Sequence, residues 1–259
     1  MNTARIFVIA TNVFREVMRD RILYVLGFYA LLLAVAIRIL PELAAATEDK
    51  IFLDFGLAAM SVIGLIVTVF VGTGLVNKEI EKRTVLLLIA KPLSRSELIA
   101  GKHLGLSAVL AVLIAVMTVI YLGLMQFSHI PYPGESILLA TLFLFLQLAL
   151  MAAVAITLGV FTSSILATIL SFAVYLMGNI TPDLLQFGRL THNPSIASIT
   201  QGLYLVLPDL SRLDLKNQAV YGLQLLPSPN ALFANAGYGL LYTGLLLAIA
   251  ILIFSRRQF

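Results

Sequence analysis

The chain contains no cysteine, which excludes disulfides, thiolate metal sites and cysteine nucleophiles together. Charge is scarce as well. Asp, Glu, Lys and Arg make up 12% of the 259 residues against 60% hydrophobic, and the mean hydropathy is +1.01. A water-soluble domain carries about a quarter charged residues, and a chain of this length could not cover so much apolar surface in water. Lipid is therefore the solvent for most of it. The formal charge of +4 does not signal nucleic acid, because the basic residues sit at the ends of apolar runs and not on one patch.

Several chemical signatures are missing too. There is no His-Glu-x-x-His, and His103, His129 and His192 are dispersed with no carboxylate at helical spacing. Met60, Met117, Met125, Met151 and Met177 are scattered like ordinary packing residues. An intramembrane enzyme and a metal site are both disfavoured, and no cofactor is expected in this chain. No Asp, Glu or Lys falls near the middle of an apolar run, which argues against an ion-coupled carrier. No Gly-x-x-x-x-Gly-Lys-Ser/Thr loop occurs, since Gly101-Lys102 lacks the upstream glycine and the following hydroxyl. The chain itself is not expected to hydrolyse ATP.

What is present is a series of six apolar runs: Ile22 to Leu40, Phe55 to Val76, Leu104 to Leu124, Ile137 to Phe161, Ile165 to Ile180 and Asn235 to Phe254. Each is judged against the roughly 20 residues that cross hydrocarbon, and the fifth is short. Thr162 to Ser164 makes a tight hairpin of runs four and five. The fold class predicted is an all-α integral membrane protein, one permease-like domain over residues 1–259 with six transmembrane helices. Residues 1–21 are not a signal peptide, because their arginines are spread among apolar residues. Ile6, Ala10, Val13 and Val17 form one stripe and Arg15, Glu16, Arg19 and Asp20 the other, which predicts an interfacial helix.

Lys and Arg fix the orientation. Arg5, Arg15, Arg19, Arg21, Lys78, Lys82, Arg83, Lys91, Arg95, Lys102, Arg256 and Arg257 fall on one side, most of the 17 in the chain. Glu42, Glu48, Asp49, Asp54, Glu135, Asp183, Asp209 and Asp214 fall on the other. Both termini are expected in the cytoplasm of a cell whose inner (plasma) membrane holds the chain. Arg38 lies near the outer end of its run and snorkels to the headgroups. The outer connection, residues 181–234, carries Pro182, Pro194, Pro208, Pro227 and Pro229 and an apolar stretch, Ile199 to Leu207, too short to span. It is expected to be an extracytoplasmic cap with short helices on the membrane surface. Thr68, Thr118, Gln147, Thr157, Ser171, Asn179 and Thr243 are polar residues inside the runs, and interhelical hydrogen bonds account for most of them.

The cytoplasmic connection, residues 77–103, is the most informative stretch. Lys78, Glu79, Glu81, Lys82 and Arg83 precede a short apolar stretch, Thr84 to Ala90, which Pro92 ends. Ser94 with Glu97 forms a capping box that starts the next helix. The pattern predicts a short amphipathic helix at the cytoplasmic face, suited to a groove on a soluble partner. Charge runs are usually solvated, but here they flank an apolar helix too short to cross.

This segment, Glu79-x-Glu81-x-x-Thr84, a Leu-rich stretch containing Leu88, Lys91-Pro92-Leu93-Ser94-Arg95 and Gly101-Lys102, resembles the permease subunits of ABC-2 type ATP-binding-cassette transporters. The ending Phe254-Ser255-Arg256-Arg257 is similar to the family's, and Leu207-Pro208-Asp209-Leu210-Ser211-Arg212-Leu213-Asp214-Leu215-Lys216 resembles the branch containing the nitrous-oxide-reductase maturation permease. The resemblance implies an exporter, a homodimeric or pseudo-dimeric permease that couples ATP hydrolysis to substrate export or to mechanical work across the membrane, with spans one, two and five at the dimer interface. It implies a separate ATPase subunit that binds ATP and Mg and is contacted through Glu79, Glu81, Lys82, Arg83, Thr84, Leu88, Pro92 and Arg95. The outer loop would gate release or receive an extracytoplasmic partner protein. The reading from another class is a non-transporting membrane scaffold whose loop binds a partner.

Overall fold

The computed structural model describes residues 2–19, 22–43, 48–81, 94–190 and 194–256. They form helices α1 (Thr3–Arg19), α2 (Ile22–Leu43), α3 (Glu48–Glu81), α4 (Arg95–Phe127), α5 (Gly134–Phe161), α6 (Ser164–Leu190), α7 (Pro194–Val206), α8 (Lys216–Ala219) and α9 (Pro229–Arg256). Two single turns of 3₁₀ helix, Leu210–Leu213 and Leu223–Leu225, flank α8. Among the described residues there is no strand, and six helices are long and apolar enough to cross a membrane: α2, α3, α4, α5, α6 and α9. The all-α, six-span expectation is met.

α5 is the central helix. Two-thirds of its apolar window, 67%, is buried, against 17% for α9 and 22% for α2 and α6. The peripheral three thus present most of their apolar surface outward, as lipid-facing helices do. α3 and α5 lie in close approach along their length. A Cβ on Gly64 would stand 2.6 Å from Leu148 Cδ1, one on Gly72 2.8 Å from Ala155 Cβ, and one on Gly159 3.1 Å from the Thr73 carbonyl. Small residues at such crossings let backbones pack where lipid offers no hydrophobic drive between helices.

α1 does not spend its apolar stripe on lipid. Ile6, Val13 and Val17 are buried, while Phe7 and Val8 remain exposed. The buried side seats on α4 at Gly101 and Gly105, where added Cβ atoms would meet Ile9 Cβ at 2.8 Å and the Ala10 carbonyl at 2.7 Å. The end of the bundle that α1 occupies is called the near end below. There α3 finishes, α4 begins, and α5 turns into α6 through Thr162 and Ser163 alone. At the far end, Tyr121 donates to the Leu53 carbonyl at 2.7 Å and Tyr29 to Gly56 at 3.2 Å, both from fully buried positions. Tyr121→Phe is expected to cost about 1 kcal/mol of stability in detergent unfolding. Tyr132→Phe, whose bond to Gln126 is exposed and 3.4 Å long, is expected to cost nothing measurable.

Two expectations change. Run five was to end near Ile180, but α6 continues through Pro182 to Leu190, with α7 folded back against it. Pro182 has no N–H for the Gly178 carbonyl one turn earlier, and Gly178 is where a later segment seats: the Pro208 carbonyl lies 2.7 Å from the Cβ that Gly178 lacks. The connection expected to cap the surface also goes inward. Leu210, Leu213, Leu215, Ala219 and Val220 belong to the main core of the bundle.

Candidate functional site

The near end is built around the start of α4. Ser94 caps the helix: its Oγ accepts from the Glu97 N–H at 3.2 Å, and Glu97 Oε2 accepts from the Ser94 N–H at 3.1 Å. The capping box read from sequence is thus present. Glu97 has a second task, because its Oε1 accepts from the Asn2 N–H at 2.7 Å and so fastens the start of α1. Arg95 reaches the other way. Its guanidinium donates to the carbonyls of Phe254 (2.7 Å) and Ser255 (2.5 Å) and lies 5.9 Å from the centre of the Phe254 ring. Those carbonyls belong to the unsatisfied last turn of α9, where a cation is favoured. Lys102, 2% exposed, donates to the Leu75 carbonyl of α3, and Asn77, two residues further along α3, is buried and donates to the Thr73 carbonyl. Four helices are therefore joined at one place, next to residues 82–93.

The sequence-predicted contact residues divide accordingly. Glu79 and Glu81 stand on the last turn of α3, Arg95 on the first turn of α4. Lys82, Arg83, Thr84, Leu88 and Pro92 lie outside the described residues. Arg95 is engaged with α9 in this arrangement, a use that its position in a charged loop did not suggest.

A second polar locus lies deep in the bundle. Leu207 to Lys216 descends beside α6 until the Leu210 carbonyl accepts from Gln147 Nε2 at 3.3 Å. Gln147 sits roughly 21 Å along α5 from Phe161, taking 1.5 Å per residue, which is near the middle of its apolar run. Asn179 Oδ1 is 3.4 Å from the same nitrogen. Lys216 Nζ pairs with Asp214 (3.1 Å) and donates to Ser61 of α3 (2.9 Å), itself 3.4 Å from the Tyr175 hydroxyl. Arg212 pairs with Asp209 at 2.9 Å and lies 4.8 Å from the centre of the Tyr238 ring.

No charge inside an apolar run marks this locus, because its charges arrive from the connection and not from a span. Interhelical bonds account for four of the seven polar residues within the spans, Thr118, Gln147, Thr157 and Asn179. Thr68, Thr118, Ser171 and Thr243 each donate to a carbonyl one turn back on their own helix. Gln147 and Asn179 meet across α5 and α6, Thr157 lies 3.2 Å from the Leu246 carbonyl of α9, and Thr118 also lies 3.9 Å from Met60 Sδ of α3. Among the described residues no His, Asp and Glu cluster of metal-binding size is formed.

A family model described as ABC-2 family transporter protein matches residues 7–259, from α1 through the whole bundle. No curated protein matches the chain.

Proposed function

The chain belongs to the ABC-2 family of transporter proteins, and from that premise we propose that it is the permease subunit of an ATP-driven exporter. ATP and Mg are bound by a separate ATPase subunit, which docks on the cytoplasmic segment between α3 and α4. The contact residues are Glu79, Glu81, Lys82, Arg83, Thr84, Leu88, Pro92 and Arg95. Two copies form the working unit, in the inner membrane with both termini inside, as the distribution of Lys and Arg supports. Leu207 to Lys216 resembles the branch of the nitrous-oxide-reductase maturation permease, and we infer membership of that branch from this motif.

The observation that carries this reading is the frame at the near end. A push on residues 82–93 is delivered to the last turn of α3 and the first turn of α4. Lys102 ties those two helices together, Glu97 ties α4 to α1, and Arg95 ties α4 to α9. Helices so joined move as one body, which is what coupling to a distant ATPase requires.

The test is co-purification of the tagged protein from membranes with its ATPase. Wild type is expected to bring down a P-loop ATPase, and Glu81→Arg to recover less than about a tenth as much, since a like-charge clash at an interface costs several kcal/mol. No ATPase with wild type, under conditions that keep complexes intact, would favour the scaffold reading.

A further inference from the structure

One face of α1 rests on protein and the other does not. Ile6, Val13 and Val17 are buried, whereas Phe7 is 75% exposed and Arg15, Glu16 and Arg19 all lie in the open. The helix runs beside α4 in the same direction: Asn2 is bonded to Glu97, Ile9 seats at Gly101, and Ala10 with Val13 at Gly105. Glu97 to Gly105 is roughly 12 Å along α4 at 1.5 Å per residue, and it passes Leu104, where the apolar run of that helix begins. Arg15 and Arg19 follow Val13, so α1 carries them from the near end to the edge of the hydrocarbon.

Arg15 and Arg19 stand one turn apart on the same side of α1. Neither is hydrogen-bonded or ion-paired among the described residues, not even to Glu16 between them. An unanswered cation beside hydrocarbon is costly. The anion that a bilayer offers there is a lipid phosphate, which a guanidinium binds as a bidentate fork. The surroundings suit an amphiphile. Phe14, Arg15, Glu16, Met18 and Arg19 line a groove of about 690 Å³, inside the range of about 300–1,000 Å³ usual for ligand sites. Phe14 and Met18 are half-buried and packed on the main core, which gives the groove an apolar floor under a charged rim. Two arginines against one glutamate leave that rim with a net positive charge, and Asp20 and Arg21, next in the chain, cancel each other. A headgroup with one net negative charge balances the rim; a zwitterionic one does not.

We propose that the groove at the end of α1 is a binding site for one anionic phospholipid, its phosphate held by Arg15 and Arg19 and the start of its acyl chains laid on Phe14 and Met18. The inference needs neither the ATPase nor the identity of any cargo, so it stands or falls apart from the coupling assignment.

The chain has no tryptophan, so Phe14→Trp places the sole indole in the groove. The full chain is reconstituted in mixtures of phosphatidylglycerol and phosphatidylcholine, with bromine on the acyl chains of one lipid or the other. Quenching of the indole then gives the relative binding constant of the two lipids. Phosphatidylglycerol is expected to be preferred by about five- to tenfold. Arg15→Gln and Arg19→Gln are each expected to lower that preference and together to bring it to about one, while brominated phosphatidylcholine still quenches, which shows the indole in place. Glu16→Gln is expected to raise it by about twofold or more, a change that a merely structural role would not produce. Leu241→Trp, at a position 78% exposed on α9, reports ordinary lipid contact and is expected to show no preference. Where Phe14→Trp fails to fold, Met18→Trp replaces it. Excess glycerol phosphate on both sides of the membrane is expected to leave the quenching unchanged; displacement of the lipid by it would overturn the proposal in favour of a soluble phosphate ligand. A groove without preference, a preference that survives loss of both arginines, or one matched at Leu241→Trp would overturn it as well.

Discussion

Gly105→Leu is expected to lower the unfolding temperature of the purified protein by roughly 5–10 °C and to detach α1 from α4. The Cβ it introduces would stand 2.7 Å from the Ala10 carbonyl and 2.7 Å from Val13 Cβ. One obstacle is backbone and the other is the root of a branched side chain, so neither can swing aside. The cost is that of overpacking, about 1–3 kcal/mol or more. Gly123 lies on the same helix with nothing within 4 Å of its missing Cβ. Gly123→Leu is expected to be neutral or to stabilise by up to about 1 kcal/mol, through helix propensity. The pair thus differs in sign. Differential scanning in detergent measures the shift, and maleimide labelling of Ile6→Cys reports the release of α1. Equal effects at both positions would mean that α1 is not seated on α4.

The second large effect is expected at Leu210. Leu210→Ala removes a fully buried side chain of the main core and is expected to cost about 2–5 kcal/mol. Lost dispersion contacts contribute to that cost whatever solvent surrounds the bundle. Leu225→Ala, on the same connection and exposed, is expected to change stability by less than about 0.5 kcal/mol. A surface cap would give two small values; a segment that fills the bundle gives one large and one small.

The contrast between those two leucines also shows what the sequence could reveal. Apolar length is a local property, so the run Ile22 to Leu40 appears unchanged as a span of the structure. The start of α4 was equally legible, because Ser94 and Glu97 satisfy each other within one turn. The depth of Leu210 was not. Leucines alternating with Asp, Arg and Lys read as a solvated surface turn, and only tertiary contacts show how deep the leucines reach. One local signal was there: Asp209 and Arg212 stand three apart, as do Leu210 and Leu213, the spacing of a single helical turn with a paired face and an apolar face. Apolar length also underreads run five, because Pro182, Asp183 and Arg189 break the apolar pattern while α6 continues to Leu190 with α7 packed along it. At the near end, the helices bracketing residues 82–93 were legible and the fastening of Arg95 to α9 was not. No local pattern joins a residue to a carbonyl 159 positions further on.

That separation has a consequence for the order in which the molecule assembles. Glu97 can secure α1 as soon as α4 exists, since Asn2 has already been made. Arg95 must wait for Phe254 and Ser255, and hence for α5, α6 and α9 to be inserted. Contacts so distant in sequence form late. Until then the guanidinium of α4 is unanchored and the last turn of α9 does not yet exist to receive it. The frame at the near end is therefore complete only when the last span is in place, so the last turn of α9 closes the structure that the first turn of α4 began.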